Sequence, residues 1–325
     1  MTQFAHVAPA TLEEAARLAA EEGHRLLAGG TDLLREIQAG SAAPDTLVSL
    51  RAVPGLDRIE RTGKGGLLIG ARVSLAEVAT HAAIRRDYTA LAEAALGAAT
   101  PQLRNKATLA GNLLQRPTCE YYRTDFRCAL KGGADCPARI GDNTHHALFG
   151  GGLCVSAHPS DAAAALHALD ARVHLFGNAG ASIRPIADLH RKPTASRPTE
   201  IALAPGTIVT AIELPPPAGR STYRQARERA TWAFALVGVA ARLHLNGTRI
   251  RSAGLALTGV APIPWRLAAV EAWLKGKSIA KDGWAAEAGR RALVGARPLE
   301  HNRYKLALVE GLVVRALNAL VGRSR

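Results

Sequence analysis

The sequence specifies an α+β protein of two domains, on three observations. The chain has 325 residues, enough for two hydrophobic cores of ordinary size. Pro215-Pro-Pro217-Ala-Gly219 is the clearest break in the sequence, because neither helix nor sheet interior tolerates such a run. Beyond it, strand-like segments are followed by helical ones, the pattern of a compact α+β unit. The expected domains are 1–215, with subdomains at about 1–55 and 56–215, and 220–325.

The elements follow in order. Thr11-Leu-Glu-Glu14 is a capping box, and the apolar spacing of Leu12, Ala15, Ala16 and Leu18 predicts a helix to about Glu22. Gly23 ends it, and His24–Ala28 predicts a short buried strand that breaks at Gly29-Gly30. A helix over Leu33–Gln38 and a strand over Thr46–Leu50 come next. Leu67–Ile69 predicts a strand, and Ser74–His81 and Tyr88–Leu96 predict helices. Residues 117–155 show neither helical nor strand period and predict an irregular insert. Regular structure resumes with a helix over Asp161–Ala171, capped by Ser160 or Asp161, and a strand over Arg172–Phe176. In the second domain Thr222–Arg229, the apolar run Trp232–Leu243 and the strand-like Ser252–Val260 precede helices over Trp265–Leu274, Gly283–Val294 and Tyr304–Leu320.

Composition excludes several classes. Hydrophobic residues make up 48% of the chain, too many for a disordered protein. The longest apolar run, near Trp232–Ala241, is half of what a membrane helix needs, and no secretory signal is evident in the first residues. The net charge is +14, but the 33 arginines are scattered, with no basic arm and no aromatic–basic interleaving. That distribution argues against nucleic acid and suits docking onto acidic partner subunits.

Two kinds of motif carry chemistry. Gly29-Gly30-Thr31-Asp32 stands between a strand and a helix. It is a candidate phosphate cradle, since glycines let backbone N–H groups approach a diphosphate, although a bare Gly-Gly-Thr-Asp is more often a plain strand–helix turn. A second glycine turn lies at Thr108-Leu-Ala-Gly111-Asn112. All four cysteines, Cys119, Cys128, Cys136 and Cys154, fall within 36 residues as C-x8-C-x7-C-x17-C. No close C-x2–4-C pair favours zinc, so a four-thiolate iron–sulfur site, a zinc site and buried free thiols all stay open. Asp161 fits an N-cap, His158 a structural or surface histidine, His145-His146 a solvated loop, and Trp232 and Phe234 core positions.

Taken together, Leu26-Leu-Ala-Gly-Gly-Thr-Asp-Leu-Leu34, Arg104-Asn-Lys-Ala-Thr-Leu-Ala-Gly-Asn112, His158-Pro-Ser-Asp161 and Leu203-Ala-Pro-Gly206 before Ile212-Glu-Leu-Pro215 resemble the FAD-binding subunit of the xanthine dehydrogenase and molybdenum hydroxylase family. The motifs stand in the family order and cover nearly the whole chain. The nearer resemblance is to the FAD-binding subunit of periplasmic aldehyde oxidoreductases, where Gly-Asn-Leu-Leu-Gln-Arg runs into a cysteine as Gly111–Arg116 runs to Cys119 here.

The resemblance implies an FAD-binding domain of the PCMH or vanillyl-alcohol-oxidase-like type, followed by an α+β domain of the CO dehydrogenase flavoprotein type. Leu26, Leu27, Ala28, Gly29, Gly30, Thr31, Asp32, Leu33 and Leu34 would wrap the FAD diphosphate. Thr108, Gly111 and Asn112 would close over it, and Asp161, Val209 and Arg224 would supply further flavin contacts. Cys119, Cys128, Cys136 and Cys154 would ligate a [4Fe–4S] cluster. Two departures stand out: Ala110 replaces a frequent glycine but is small enough to keep binding, and Trp232 stands where relatives often carry Tyr or Asp. A molybdenum-cofactor large subunit and a [2Fe–2S] small subunit would complete a heterotrimer, exported to the periplasm with a signal-bearing partner or otherwise cytoplasmic. Two other readings are the beta subunit of a 4-hydroxybenzoyl-CoA-reductase-like complex and a basic, zinc-stabilised scaffold.

Overall fold

The computed structural model describes residues 3–323 and contains three sheets. The first is parallel, with Thr46–Ser49 between Ala5–Val7 and His24–Leu27. The helix Leu12–Ala19 connects its outer strands and packs Ala15 and Ala16 against Val48, Leu50 and Ile208. Thr11 caps this helix by accepting the Glu14 N–H at 3.2 Å. The reciprocal bond differs from a standard capping box, because Glu14 receives the N–H of Ala10 at 3.3 Å. The helix stops at Ala19, three residues short of the expected end, where Gly23 turns the chain at φ +76°.

The second sheet is antiparallel, in the order Ile59–Arg61, Leu67–Gly70, Ile208–Leu214, Arg172–Gly177, Gly180–Pro185. Helices Leu75–Thr80, Thr89–Gly97 and Asp161–Ala168 share its core. Ile208–Leu214 is a central strand, paired with Leu67–Gly70 on one side and with Arg172–Gly177 on the other. The edge strand Gly180–Pro185 escapes the sequence pattern because most of its side chains face water on both sides.

The third sheet is antiparallel, in the order Trp265–Arg266, Arg249–Thr258, Val237–Asn246, Arg220–Ala226. Strand alternation divides its faces. Val239, Ala241, Leu255 and Leu257 pack against the C-terminal helices Trp284–Arg291 and Lys305–Leu320. Ala240 and Ala256 face the core of the second sheet. The expected apolar run divides accordingly, and Trp232 and Phe234 lie in the loop before the strand, 57% and 52% exposed, rather than in the core.

The two cores meet through small residues. Helix Asp161–Ala168 is buried along its whole length, so its alanines touch neighbours on every side. Gly254 lies against it so closely that a Cβ there would collide with the Ala168 carbonyl. The insert 117–155 contains no strand, only the short helix Glu120–Arg123 and 3₁₀ turns at Ala129–Lys131 and Pro137–Arg139. Among the described residues, no helix is long and apolar enough to cross a membrane. Gly254→Val should lower stability by about 1–3 kcal/mol through overpacking, seen as a lower Tm in calorimetry.

Candidate functional site

The site starts from a backbone collision that only glycine avoids. The strand His24–Leu27 runs into Gly29, where a Cβ would strike the carbonyl of Lys106, and Gly30 adopts φ +73°. These two glycines let the first sheet unit approach the turn before Thr108 backbone to backbone. Among the described residues, the N–H groups of Gly29, Gly30 and Thr31 make no hydrogen bond within the protein and stay available to an acceptor. From the other side, Thr108 caps the helix Leu109–Leu113 by accepting the Gly111 N–H at 3.2 Å. Between the two turns lies a cavity of about 1330 Å³. Ordinary small-molecule pockets span ~300–1,000 Å³, so this one suits an extended dinucleotide.

The expected residues separate cleanly. Leu26, Leu27, Ala28, Gly29, Gly30, Thr31, Asp32 and Leu33 line the cavity, as do Thr108, Gly111, Asn112, Asp161 and Val209. Leu34 and Arg224 are not part of its wall. Leu34 is 41% exposed, and Arg224 pairs with Glu93 at 3.2 Å. Ser160, not Asp161, caps the helix Asp161–Ala168, taking the Ala163 N–H at 3.0 Å while donating to Asn112 Oδ1 at 2.6 Å. Asp161 instead accepts the Tyr223 hydroxyl at 2.5 Å, a partner that sequence spacing does not reveal. Burial pushes the Asp161 carboxyl up to about 7, and the Tyr223 hydrogen bond opposes part of that rise.

The insert is tied to the cradle by buried charge. Asp32 accepts from Arg123 Nη2 at 2.8 Å and from the Arg116 N–H at 3.0 Å. The Tyr122 hydroxyl donates to Glu36 at 3.2 Å, and Arg116 pairs with Glu200 at 2.8 Å. Burial raises the pKa of both Glu36 and Glu200, while Arg123 lowers the first and Arg116 the second. Removing one partner of such a buried pair typically costs about 3–5 kcal/mol.

The four cysteines are free and line one small void of about 10 Å³ together with Tyr122, Leu130 and Leu153. Cys154 Sγ donates to Ser156 Oγ at 3.1 Å and accepts the Ser156 N–H at 3.3 Å, and the proximity of the two thiols Cys136 and Cys154 lowers the pKa of Cys136 while it raises that of Cys154. Burial raises Cys119 to about 11. Among the described residues, no three His, Cys, Asp or Glu side chains already form a metal-holding group, so four thiols converge without a preformed ligand set. Cys119 and Ser156 line both the cysteine void and the large cavity, and are therefore a shared wall.

Of the histidines read from the sequence, His146 alone departs from expectation. Only His145 is in a solvated position, 3.6 Å from Glu228, whereas His146 is buried with Nε2 3.3 Å from Cys119 Sγ. His158 takes the structural of its two expected places, buried with its ring 4.7 Å from that of His190. Burial holds His167 and His190 neutral, at about 3 and about 4.

Comparison with known proteins agrees with this geometry. Residues 2–217 match the FAD binding domain in molybdopterin dehydrogenase, and residues 221–320 match the CO dehydrogenase flavoprotein C-terminal domain. The chain is 40% identical over 294 residues to the aldehyde oxidoreductase FAD-binding subunit PaoB of Escherichia coli K12, covering 89% of this chain and 88% of that one. It is 26% identical over 329 residues to the carbon monoxide dehydrogenase medium chain of Hydrogenophaga pseudoflava, covering 99% and 98%. The solved carbon monoxide dehydrogenase of that organism shares the fold, with TM-score 0.78 at 24% identity over 99% of both chains. The chain belongs to the FAD-binding family of the molybdopterin dehydrogenases. It is an FAD-binding medium subunit of the molybdenum hydroxylase class, an oxidoreductase component, and the scaffold reading falls with that membership.

Gly29→Ala should purify with at least tenfold less FAD, measured by absorbance at the flavin bands, while far-ultraviolet circular dichroism stays unchanged. Asp161 titrates higher folded than unfolded, so its contribution to stability is complete below about pH 4 and is lost as pH rises through 7. Relative to wild type, flavin-free Asp161→Asn should lack a slope of about 1.4 kcal/mol per pH unit across that window, measured by chemical denaturation.

Proposed function

We propose that this chain is the FAD-binding, [4Fe–4S]-carrying electron-transfer subunit of a heterotrimeric, molybdenum-dependent aldehyde oxidoreductase. In this reading it takes electrons from a [2Fe–2S] subunit and delivers them to an external acceptor. Substrate oxidation belongs to a separate molybdenum-cofactor subunit. The observation that carries the reading is the wall that Cys119 and Ser156 share between the four-cysteine void and the large cavity. Its support from comparison is the identity to PaoB across most of both chains. The proposed division is an FAD-binding domain over 1–215, carrying the 117–155 insert, and a flavoprotein domain over 220–325.

The residues have distinct tasks. The free N–H groups of Gly29, Gly30 and Thr31 hold the diphosphate, helped by the guanidinium of Arg123, which neutralises Asp32 and keeps that carboxylate from repelling phosphate. Thr108, Gly111 and Asn112 close the opposite side. Asp161 offers a neutral carboxyl below about pH 7, able to donate a proton in a hydrogen bond while Tyr223 fixes its other edge. Bound FAD exchanges electrons singly or in pairs, which suits a junction between one-electron centres and an acceptor. Cys119, Cys128, Cys136 and Cys154 are the cluster ligands, and the insert has little regular structure because ligation would order it. The net charge of +14, mostly arginine, fits docking onto acidic faces of the partner subunits, with periplasmic location by co-export on a signal-bearing partner.

Anaerobic purification with iron, sulfide and flavin assays tests the reading. The expected result is one FAD with about four iron and four sulfide per chain. Cys136→Ser should lose most of the iron yet keep FAD. Flavin without iron in the wild-type protein would contradict the cluster assignment.

A further inference from the structure

His146 is buried, 7% exposed, and belongs to the lining of the large cavity. Its Nε2 lies 3.3 Å from Cys119 Sγ, and its Nδ1 is buried without a hydrogen-bond partner. The backbone beneath the ring is held from three directions. Its N–H donates to the Asn143 carbonyl at 3.0 Å, and its carbonyl accepts from Asn302 Nδ2 and Lys305 Nζ at 3.1 Å each. Lys305 is itself buried, and its remaining donors reach the His145 carbonyl at 2.8 Å and the Gly259 carbonyl at 2.9 Å. The C-terminal domain therefore sets where the imidazole stands, and the ring packs beside Tyr121 at 6.1 Å.

We propose that His146 is a positioning residue that tunes the four-cysteine centre from the wall it shares with the FAD cavity, donating its Nε2–H to Cys119 Sγ. The inference rests on the cluster reading of the cysteines. A ligated thiolate has no proton to give, so the imidazole must be the donor, and its proton must sit on Nε2. Nδ1 is then the unprotonated nitrogen, buried without a hydrogen-bond partner. An N–H donor withdraws electron density from the sulfur, stabilises the reduced form of the cluster, and raises its potential.

The test uses the purified complex with wild-type, His146→Leu and His146→Gln chains. Each is assayed for iron, sulfide and FAD, and then titrated reductively with electron paramagnetic resonance of the cluster as readout. The expected result is unchanged cofactor content in all three. His146→Leu should show about a tenfold fall in the reduced-to-oxidised ratio at fixed solution potential, equivalent to about 59 mV for one electron. His146→Gln, whose amide N–H can reach the same sulfur, should recover at least half of that shift. An unchanged potential in His146→Leu, or equal shifts in Leu and Gln, would overturn the proposal. Loss of iron from both variants would overturn it too, since the residue would then be packing. An iron-free wild type would remove the cluster reading itself, which is a distinguishable failure.

Discussion

The backbone-to-backbone approach of Gly29 to the Lys106 carbonyl is the constraint on which the site depends. It joins a three-stranded parallel unit to a five-stranded antiparallel one with no side chain between them. The large cavity lies between their adjoining turns. Unpaired N–H groups on one turn then face the capped helix Leu109–Leu113 on the other. A side chain at Gly29 would push the walls apart and relax the geometry that concentrates the donors.

The insert makes this arrangement larger than a flavin site. Asp32, Glu36 and Glu200 would be an unfavourable cluster of acids beside a diphosphate if left alone. Arg123 in the insert pairs with Asp32, Arg116 just before it pairs with Glu200, and Arg25 pairs with Glu36, while the Tyr122 ring lies under the Arg116 and Arg123 guanidiniums at 5.0 and 5.8 Å. Buried charges of this kind contribute little net stability, but they are intolerant of rearrangement, which favours a unique orientation of the cysteine loop. The C-terminal domain contributes the other constraint, through Lys305 and Asn302 on the backbone of 145–147.

Much of this was legible in the sequence, and the exceptions share a cause. Gly29-Gly30 and the clustered cysteines announce themselves because their chemistry is local. The helices capped by Thr11, Ser74 and Ser160 are legible for the same reason, since each cap lies within three residues of its target. Asp32 reads as a cradle residue, yet its partners are 84 and 91 positions away. Arg224 is engaged by Glu93, 131 positions away, and does not reach the cavity. His146 reads as a loop residue because the lysine that anchors its backbone lies 159 positions on. The edge strands Ala5–Val7 and Gly180–Pro185 carry no period, because neither has a consistently buried face.

The central claim is that a flavin and an iron–sulfur centre sit on opposite sides of one wall in this chain. Anomalous diffraction at the iron edge from crystals of the intact complex tests it most directly. The account predicts flavin density between Gly29 and Gly111, and one compact iron peak bounded by the sulfurs of Cys119, Cys128, Cys136 and Cys154. Flavin density with no iron signal at those sulfurs would contradict it.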